Sequence, residues 1–332
     1  MRNDKSSPTW AFVAIALLAL LAIASLLIGR ANFAFSEFLP SSPKYEAALL
    51  VLLEVRLPRT LFAILCGAAL AVSGAALQGH LRNPLADAGV LGISSFASLG
   101  AIIAIYFGLS SLAFWVLPAM AIVFAWLSMA LLLLMVGRDV TAIYFILAGV
   151  LLSTISGALM TLALNFAPNP YAIAEIINWQ IGSFSEVSMR EVALTAPFIV
   201  IGFLILAQNA KSLDALSLGE ETAQSLGLNL QKSRRNLILG VGLLVGAVTS
   251  ISGVIGFVGL IVPHIVRPWV GSVPSRILLP SAIFGACLTL AADILVRLLW
   301  FGNELKIGVI MAIIGAPFFL HLLVQMRKTG GK

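Results

Sequence analysis

Long uninterrupted apolar runs follow one another along almost the whole chain, separated by short polar connections. The runs lie at about residues 10–29, 59–80, 90–107, 112–136, 140–165, 191–208, 237–251, 254–266, 277–299 and 307–325. An α-helix needs roughly 20 mostly apolar residues to cross a bilayer, and most of these runs approach or exceed that length. The pattern therefore predicts about ten membrane-spanning helices.

Composition supports the same interpretation. Of the 332 residues, 60% are hydrophobic and only 10% are charged, and the mean hydropathy is +1.06. A soluble domain carries about a quarter charged residues, so this chain cannot cover a water-facing surface. A membrane β-barrel would show short alternating segments instead of unbroken runs. We predict an all-α polytopic membrane protein with one transmembrane domain over residues 1–332, in contact with membrane lipid.

The distribution of Lys and Arg predicts how the helices are oriented. With a cytoplasmic N-terminus, thirteen of the twenty Lys and Arg residues fall on the cytoplasmic side, which is the side where such residues are enriched. We therefore predict an N-in, C-in topology, with a cytoplasmic loop at 208–236 and a periplasmic loop at 166–190. Because flanking charges account for the net charge of +6, we expect no nucleic-acid partner.

A short amphipathic segment lies in the predicted cytoplasmic loop. Residues 220–226 form one or two helical turns, with Gly219 and Gly227 at the ends. Ala223 and Leu226 are expected on one side of this helix. The charged residues Glu220 and Glu221 are expected largely on the other. Such a helix either docks into a groove of a partner or connects two spans along the membrane surface, and the pattern favours neither.

Residue types that usually carry catalysis are scarce. The three histidines lack the spacing of a metal site, and the chain has no G-x-x-x-x-G-K-[ST] phosphate-binding loop. We expect no catalytic residues, no metal ligands and no cofactor bound by this chain, and we predict that it is not an enzyme. Cys66 and Cys287 each lie in an apolar run, where a free cysteine behaves as a small hydrophobic residue.

Asp293 is the best candidate for an ionisable residue in the middle of a span. It precedes Arg297 by four residues on the same helical face, where a structural ion pair is the simpler interpretation. The alternative function for the chain is an ion-coupled secondary transporter that works without an ATPase, and Asp293 would then carry the coupling ion.

The densest motif lies between residues 56 and 92. It reads R-L-P-R at 56–59, continues through a Gly/Ala-rich helix, and ends with N-P-L-A-D at 83–87 and L-G at 91–92. Three more blocks follow in order: L-G-x-x-x-A-x-x-L-G at 218–227, G-F-V-G-L-I-V-P-H at 256–264 and G-A-P-F-F at 315–319. Together these blocks resemble the signature of the FecCD-type permeases, which serve bacterial iron-siderophore, haem and cobalamin import.

The resemblance implies a type II ABC importer permease fold in the bacterial inner membrane. Permeases of this type form a homodimer that engages two cytoplasmic ATPase subunits and a periplasmic substrate-binding protein. ATP and Mg²⁺ would bind to the ATPase. The implied activity is ATP-driven import of an iron chelate, such as a siderophore or haem, or of a cobalamin-like metal chelate.

The resemblance also assigns roles to individual residues. ATPase coupling falls on Leu218, Gly219, Glu220, Glu221, Ala223, Leu226 and Gly227. Docking of the binding protein falls on Arg56, Arg59 and Arg297. The cytoplasmic gate is expected at Asn83, Leu85 and Thr141. The pathway lining is expected at Ser153, Thr154, Ser156 and Met160, for which ordinary helix packing is the competing interpretation.

Overall fold

The computed structural model describes residues 9–29, 31, 33–135, 142–167, 169–299 and 305–330. Regular structure within these ranges is helical, which confirms the all-α prediction. The helices are α1 (Thr9–Leu27), α2 (Tyr45–Leu50), α3 (Leu57–Leu81), α4 (Ile93–Tyr106), α5 (Val116–Met135), α6 (Ala142–Asn165), α7 (Pro170–Gln180), α8 (Met189–Leu216), α9 (Glu220–Ser225), α10 (Leu230–Ser252), α11 (Val258–Val270), α12 (Pro274–Leu298) and α13 (Ile307–Gly330).

Ten of these helical segments are apolar enough to lie in a membrane. Eight of the described segments are long enough to cross it alone, and α4 and α11 are shorter apolar helices. At 1.5 Å per residue, α4 and α11 reach only about 20 Å, less than the ~30 Å hydrocarbon thickness. A 3-10 turn at Ala88–Leu91 precedes α4, and non-helical residues 253–257 precede α11. Non-helical backbone is tolerated at membrane depth only inside protein or along a cavity.

The helix at the centre of the motif is longer than the sequence indicates. The apolar run at 59–80 predicts one span, yet helix continues from Tyr45 through a π-helical turn at Val51–Arg56 to Leu81. Pro58 lacks an N–H group and its ring crowds the preceding turn. The wider π-helical turn before Pro58 accommodates that ring without ending the helix.

The two polar segments contain more helix than loop. α8 runs on to Leu216 and α10 already begins at Leu230, so the connection predicted at 208–236 narrows to residues 217–229. The segment predicted as a loop at 166–190 contains α7, whose first turn is capped by the Asn169 side chain. Charged residues at the ends of α8 and α10 explain the first difference, because they lower hydropathy without ending a helix. α7 is a separate short helix, too short and too polar to stand out as an apolar run.

α3 lies at the centre of the bundle, packed against α8, α10, α11 and α12. Its contact with α12 is close because Gly67 faces Gly285, and its contact with α11 is close because Gly74 faces Gly259. A Cβ atom added at Gly74 would overlap the Gly259 carbonyl group. Small residues at such crossings let helix backbones approach in lipid, where van der Waals packing drives association.

The bundle has two distinct ends. At one end, which we call the α9 end, the Asp214 carboxylate of α8 accepts a hydrogen bond from the Ser275 N–H at the start of α12 (2.8 Å). At the other, which we call the arginine end, the Arg297 guanidinium of α12 reaches the last turn of α1. Functional candidates occur at both ends.

Candidate functional site

Three arginines and one aspartate form a cluster at the arginine end. The Asp293 carboxylate is fully buried and lies between two guanidinium groups. Arg59 Nε and Nη2 reach Asp293 Oδ1 at 2.9 and 2.8 Å, while Arg297 Nε reaches Oδ2 at 2.9 Å. A second Arg297 nitrogen, Nη2, also pairs with Oδ2. The carboxylate thereby joins α3 to α12.

The same arginines hold the last turn of α1. Arg297 donates to the Ser25 and Ile28 carbonyl oxygens at 2.7 and 3.0 Å. Arg56 Nη1 donates to the carbonyl oxygens of Leu26 and Leu27 at 2.9 and 2.8 Å. The last carbonyl groups of a helix have no partner within it and carry partial negative charge, so cationic side chains stabilise them.

The arginine cluster lines an open cavity of about 330 Å³, together with Val51, Val55 and Ser185. Arg56, Arg59 and Arg297 line this cavity and the Asp293 carboxylate neutralises one positive charge of the cluster, which leaves an excess of positive charge. The structure confirms the structural ion pair between Asp293 and Arg297. It adds Arg59, which lies 234 positions earlier in the chain and which the sequence did not pair with Asp293. A docking role for the three arginines stays a prediction.

A second cavity lies next to the first. It has a volume of about 590 Å³ and also contacts Ser185. Glu175, Glu186 and Glu191 line it together with Lys306. Sequence reasoning missed this cavity because its residues come from four separate stretches of chain, none of which carries a motif.

At the opposite end, α9 contacts α8 and α10. Gly219 and Gly227 flank it with φ values of +107° and +85°, a backbone region that favours glycine. Leu218 and Leu226 are 63% and 66% exposed, whereas Ala223 is fully buried. The prediction that Ala223 and Leu226 lie on one side of the helix was therefore wrong. The helix ends at Ser225, one residue before Leu226, and Ala223 faces the bundle. Leu218 and Leu226 flank α9, while the helix itself exposes the polar residues Glu221, Thr222, Gln224 and Ser225.

The predicted gate residues lie beside this end. Asn83 Oδ1 accepts a hydrogen bond from the Leu85 N–H at 3.0 Å, which fixes the turn after α3. Both side chains are partly exposed. Thr141 lies outside the described residues. A gating role for Asn83 and Leu85 stays a prediction.

The four predicted pathway residues of α6 do not share one direction. Ser156 is buried and donates to the Ser95 carbonyl of α4 at 2.6 Å. Thr154 is exposed and donates to the Val150 carbonyl within α6 at 2.9 Å. Met160 Sδ contacts Gln180 Nε2 of α7 at 3.0 Å, and Ser153 is partly exposed. Helix packing accounts for Ser156, and a lining role for all four stays a prediction.

The fold and these surfaces define a class. A bundle of about ten apolar helices, with a cationic cavity at one end and a short helix with exposed leucines at the other, is typical of a membrane permease that works with soluble partners. Residues 17–325 match the FecCD transport family, and the chain belongs to that family.

Relatives cover the chain almost completely. The vitamin B12 import system permease protein BtuC of Klebsiella pneumoniae subsp. pneumoniae is 37% identical over 329 residues, which are 99% of this chain and 97% of that protein. BtuC of Escherichia coli O9:H4 is 40% identical over 276 residues, 83% of this chain and 84% of that protein. These relatives are permease proteins of a transport family.

Solved structures share the fold. A metal-chelate type ABC transporter in an inward-facing conformation superposes with a TM-score of 0.87 at 32% identity, covering 96% of this chain and 100% of that chain. The PsaBC assembly of Streptococcus pneumoniae in complex with a Fab superposes with a TM-score of 0.55 at 20% identity, covering 79% of this chain and 88% of that chain. At that identity the second likeness concerns the fold alone.

Proposed function

We propose that this chain is the permease subunit of an ATP-driven importer for a metal chelate, with a corrinoid or an iron chelate as the substrate. The observation that carries the proposal is the alignment over 99% of the chain with a vitamin B12 import permease. Import runs from the periplasm to the cytoplasm across a bacterial inner membrane.

The partners follow from the two ends of the bundle. We propose that a second copy of the chain completes the permease and that each copy receives one ATPase subunit at the α9 end. Exposed Leu218 and Leu226 support this, because isolated apolar side chains on either side of a short helix fit a groove in a partner. At the arginine end, the excess positive charge supports docking of carboxylates from a substrate-binding protein.

The contacts of α9 suggest how ATP hydrolysis in the ATPase is coupled to movement of the helices in the membrane. α9 touches both α8 and α10, so a force applied to it acts on two long helices together. α10 packs on α5 and α4, and α8 packs on α3. Closing of the ATPase dimer would therefore tilt these helices and alternate access at the predicted gate beside Asn83 and Leu85.

Asp293 argues against the alternative of an ion-coupled carrier. A coupling carboxylate must exchange its ion with both sides of the membrane. The Asp293 carboxylate is fully buried and held by two guanidinium groups. Its geometry suits a structural link between α3 and α12 better than reversible ion binding.

Purification of the tagged chain with its co-expressed genomic neighbours tests the proposal. We expect an ATPase subunit at a one-to-one ratio in mild detergent, ATP hydrolysis in the eluate, and ATP-dependent uptake of a metal chelate in proteoliposomes that also receive the binding protein. Uptake that persists without the ATPase would overturn the proposal and favour the secondary carrier.

Docking at the arginine end has its own test. Arg56→Gln should weaken affinity for the binding protein by about tenfold and reduce its dependence on salt, because one charged contact to a carboxylate is lost. Arg190→Gln is the matched control, since Arg190 is exposed and lies 5.7 Å from the Phe114 ring at the mouth of the neighbouring cavity. Unchanged affinity in Arg56→Gln would assign Arg56 to packing on α1 alone. An equal loss in both variants would mean that the effect is not specific to the arginine cluster.

A further inference from the structure

The segment after α3 returns into the bundle and brings an acidic residue with it. Ala86, Ala88 and Leu91 are buried, and Asp87 lies between them along the chain. The Asp87 carboxylate lies near the backbone N–H groups of Ala88 and Gly89 in its own segment. It also lies near the N–H of Phe257, the residue immediately before α11, and its Oδ1 packs against Gly259 in the first turn of α11. One side chain therefore joins two parts of the chain that lie 170 positions apart.

The partner of Asp87 is a break between two helices. α10 ends at Ser252 and α11 begins at Val258, with non-helical backbone between them. Phe257 has a φ of +68°, which a bulky side chain rarely adopts. The surrounding structure must hold this conformation in place. A carboxylate at the N-terminus of α11 does so favourably, since free N–H groups and the positive end of the helix dipole both lie there.

The Asp87 carboxylate is packed tightly against Gly259 on one side and borders a small cavity on the other. A Cβ atom added at Gly259 would overlap Asp87 Oδ1, so only glycine leaves room for the carboxylate there. A cavity of about 40 Å³ borders Asp87, Ser94 and Thr249. That volume and polarity suit one or two waters, and the cavity gives the segment space to shift without losing contact with α11.

A second link runs parallel to the first. Gln78 Nε2 of α3 donates to the carbonyl oxygens of Ala86 and Gly259 at 3.3 and 3.1 Å. Arg267 of α11 in turn donates to Gln78 Oε1 at 2.6 Å. The segment after α3 thus shares a polar network with both the first and the last turn of α11, with Gln78 of α3 at its centre.

From this geometry we infer that Asp87 is a positioning residue that ties the segment 83–92 to the N-terminus of α11, so that the predicted gate and the α10–α11 break move as one unit during transport. The inference rests on the proposed function. Asp87 touches no substrate in this scheme. It transmits movement of α10 and α11 to the turn that carries Asn83 and Leu85.

Asp87→Asn is the direct test, because it keeps the size of the side chain but removes its charge and one acceptor oxygen. In proteoliposomes with the ATPase and the binding protein, we expect substrate transported per ATP hydrolysed to fall by about tenfold while the ATPase rate stays within about twofold of wild type. Asp87→Glu, which keeps the charge on a longer stem, should recover part of the ratio.

Glu37→Gln is the matched control. The Glu37 carboxylate also accepts a backbone N–H, that of Ala34 at 2.8 Å, but it lies between α1 and α2 at the arginine end of the bundle. We expect its coupling ratio to stay within about twofold of wild type. A coupling ratio equal to that of wild type in Asp87→Asn, or an equal loss in Glu37→Gln, would overturn the inference. Uptake by the wild type would still leave the proposed function intact.

A distance measurement keeps the inference testable even if Asp87→Asn does not fold. Spin labels are attached at Gly89→Cys and Ile265→Cys, both at exposed positions, in a chain without Cys66 and Cys287. With Asp87 present, the distance between the labels should stay constant between the nucleotide-free and ATP-bound complexes. A change of about 5 Å or more, one helical turn, would show that the two parts move separately and would overturn the inference.

Discussion

At the residue scale, Asp293 is a buried carboxylate between two guanidinium groups. A buried carboxylate is costly unless it is paired and hydrogen-bonded. Here Arg59 and Arg297 supply the pairing, and Arg297 also donates to Ser25 and to the Ile28 carbonyl oxygen. Removing the carboxylate would leave two buried cations facing each other.

Asp293→Asn should therefore destabilise the chain by about 3 kcal/mol, the size expected when one partner of a buried ion pair is lost. Thermal unfolding in detergent measures this as a lower Tm. Glu37→Gln serves as the control, because the Glu37–Lys44 salt bridge (2.8 Å) lies on the exposed surface and such bridges contribute little. Equal Tm values for the two variants would mean that the buried ion pair contributes no more to stability than the exposed Glu37–Lys44 salt bridge.

Gly74 defines a second constraint at this scale. Gly74→Ala should destabilise the chain by about 1–3 kcal/mol, because the added methyl group meets the Gly259 backbone and overpacked cores cost about that much. Gly157→Ala in α6 is the control, since nothing lies within 4 Å of an added Cβ atom there. The control should be neutral or stabilising by up to about 1 kcal/mol, the helix propensity difference. Unfolding of the detergent-solubilised chain compares the two.

At the element scale, α9 is too short to be stable by itself, since isolated helices need about 12–15 residues. Its stability comes from Ala223 against α8 and α10 and from the flanking glycines. A bulky residue at Ala223 would therefore dislodge the element instead of probing its outer surface. The exposed leucines are the better positions for a test.

Leu226→Asp should abolish co-purification of the ATPase or reduce it by about tenfold, because it puts a charge in place of the exposed apolar side chain that follows α9 without touching the bundle. Val273→Asp is the control, since Val273 is 41% exposed in the turn before α12 at the same end. The amount of ATPase recovered with the tagged permease is the measurement. Retention of the ATPase by Leu226→Asp would make α9 a connector, the interpretation that the sequence left open.

At the scale of the whole molecule, the order of the helices places α9 and the cluster around Asp293 at opposite ends of the bundle. If the N-terminus is cytoplasmic, α9 faces the cytoplasm and the segment between α1 and α2 faces the periplasm. This assignment rests on the distribution of Lys and Arg.

Single cysteines test the orientation in a chain without Cys66 and Cys287. In intact cells with a permeable outer membrane, a membrane-impermeant maleimide should label Ser41→Cys but not Gln224→Cys, both of which are exposed positions. After the inner membrane is permeabilised, both should react. Labelling of Gln224→Cys alone in intact cells would reverse the topology.

The sequence by itself determined the class of fold, because the bilayer imposes a simple rule. Apolar runs of roughly 20 residues predict spanning helices without knowledge of their packing. The motif blocks at 56–92, 218–227 and 256–264 also indicated the family that the comparison of residues 17–325 established. These features are local in sequence, so they could be recognised without a structure.

Only the tertiary structure decided which residues meet across distant helices. The pairing of Arg59 with Asp293, the burial of Ala223 beneath α9, and the contact of Asp87 with the N–H of Phe257 each depend on helix rotation and depth. Apolar runs carry little information on rotation, because lipid accepts apolar residues on every face of a helix. For that reason the sequence predicted that the arginines and the segment 83–92 matter, whereas the structure decided which partners hold them.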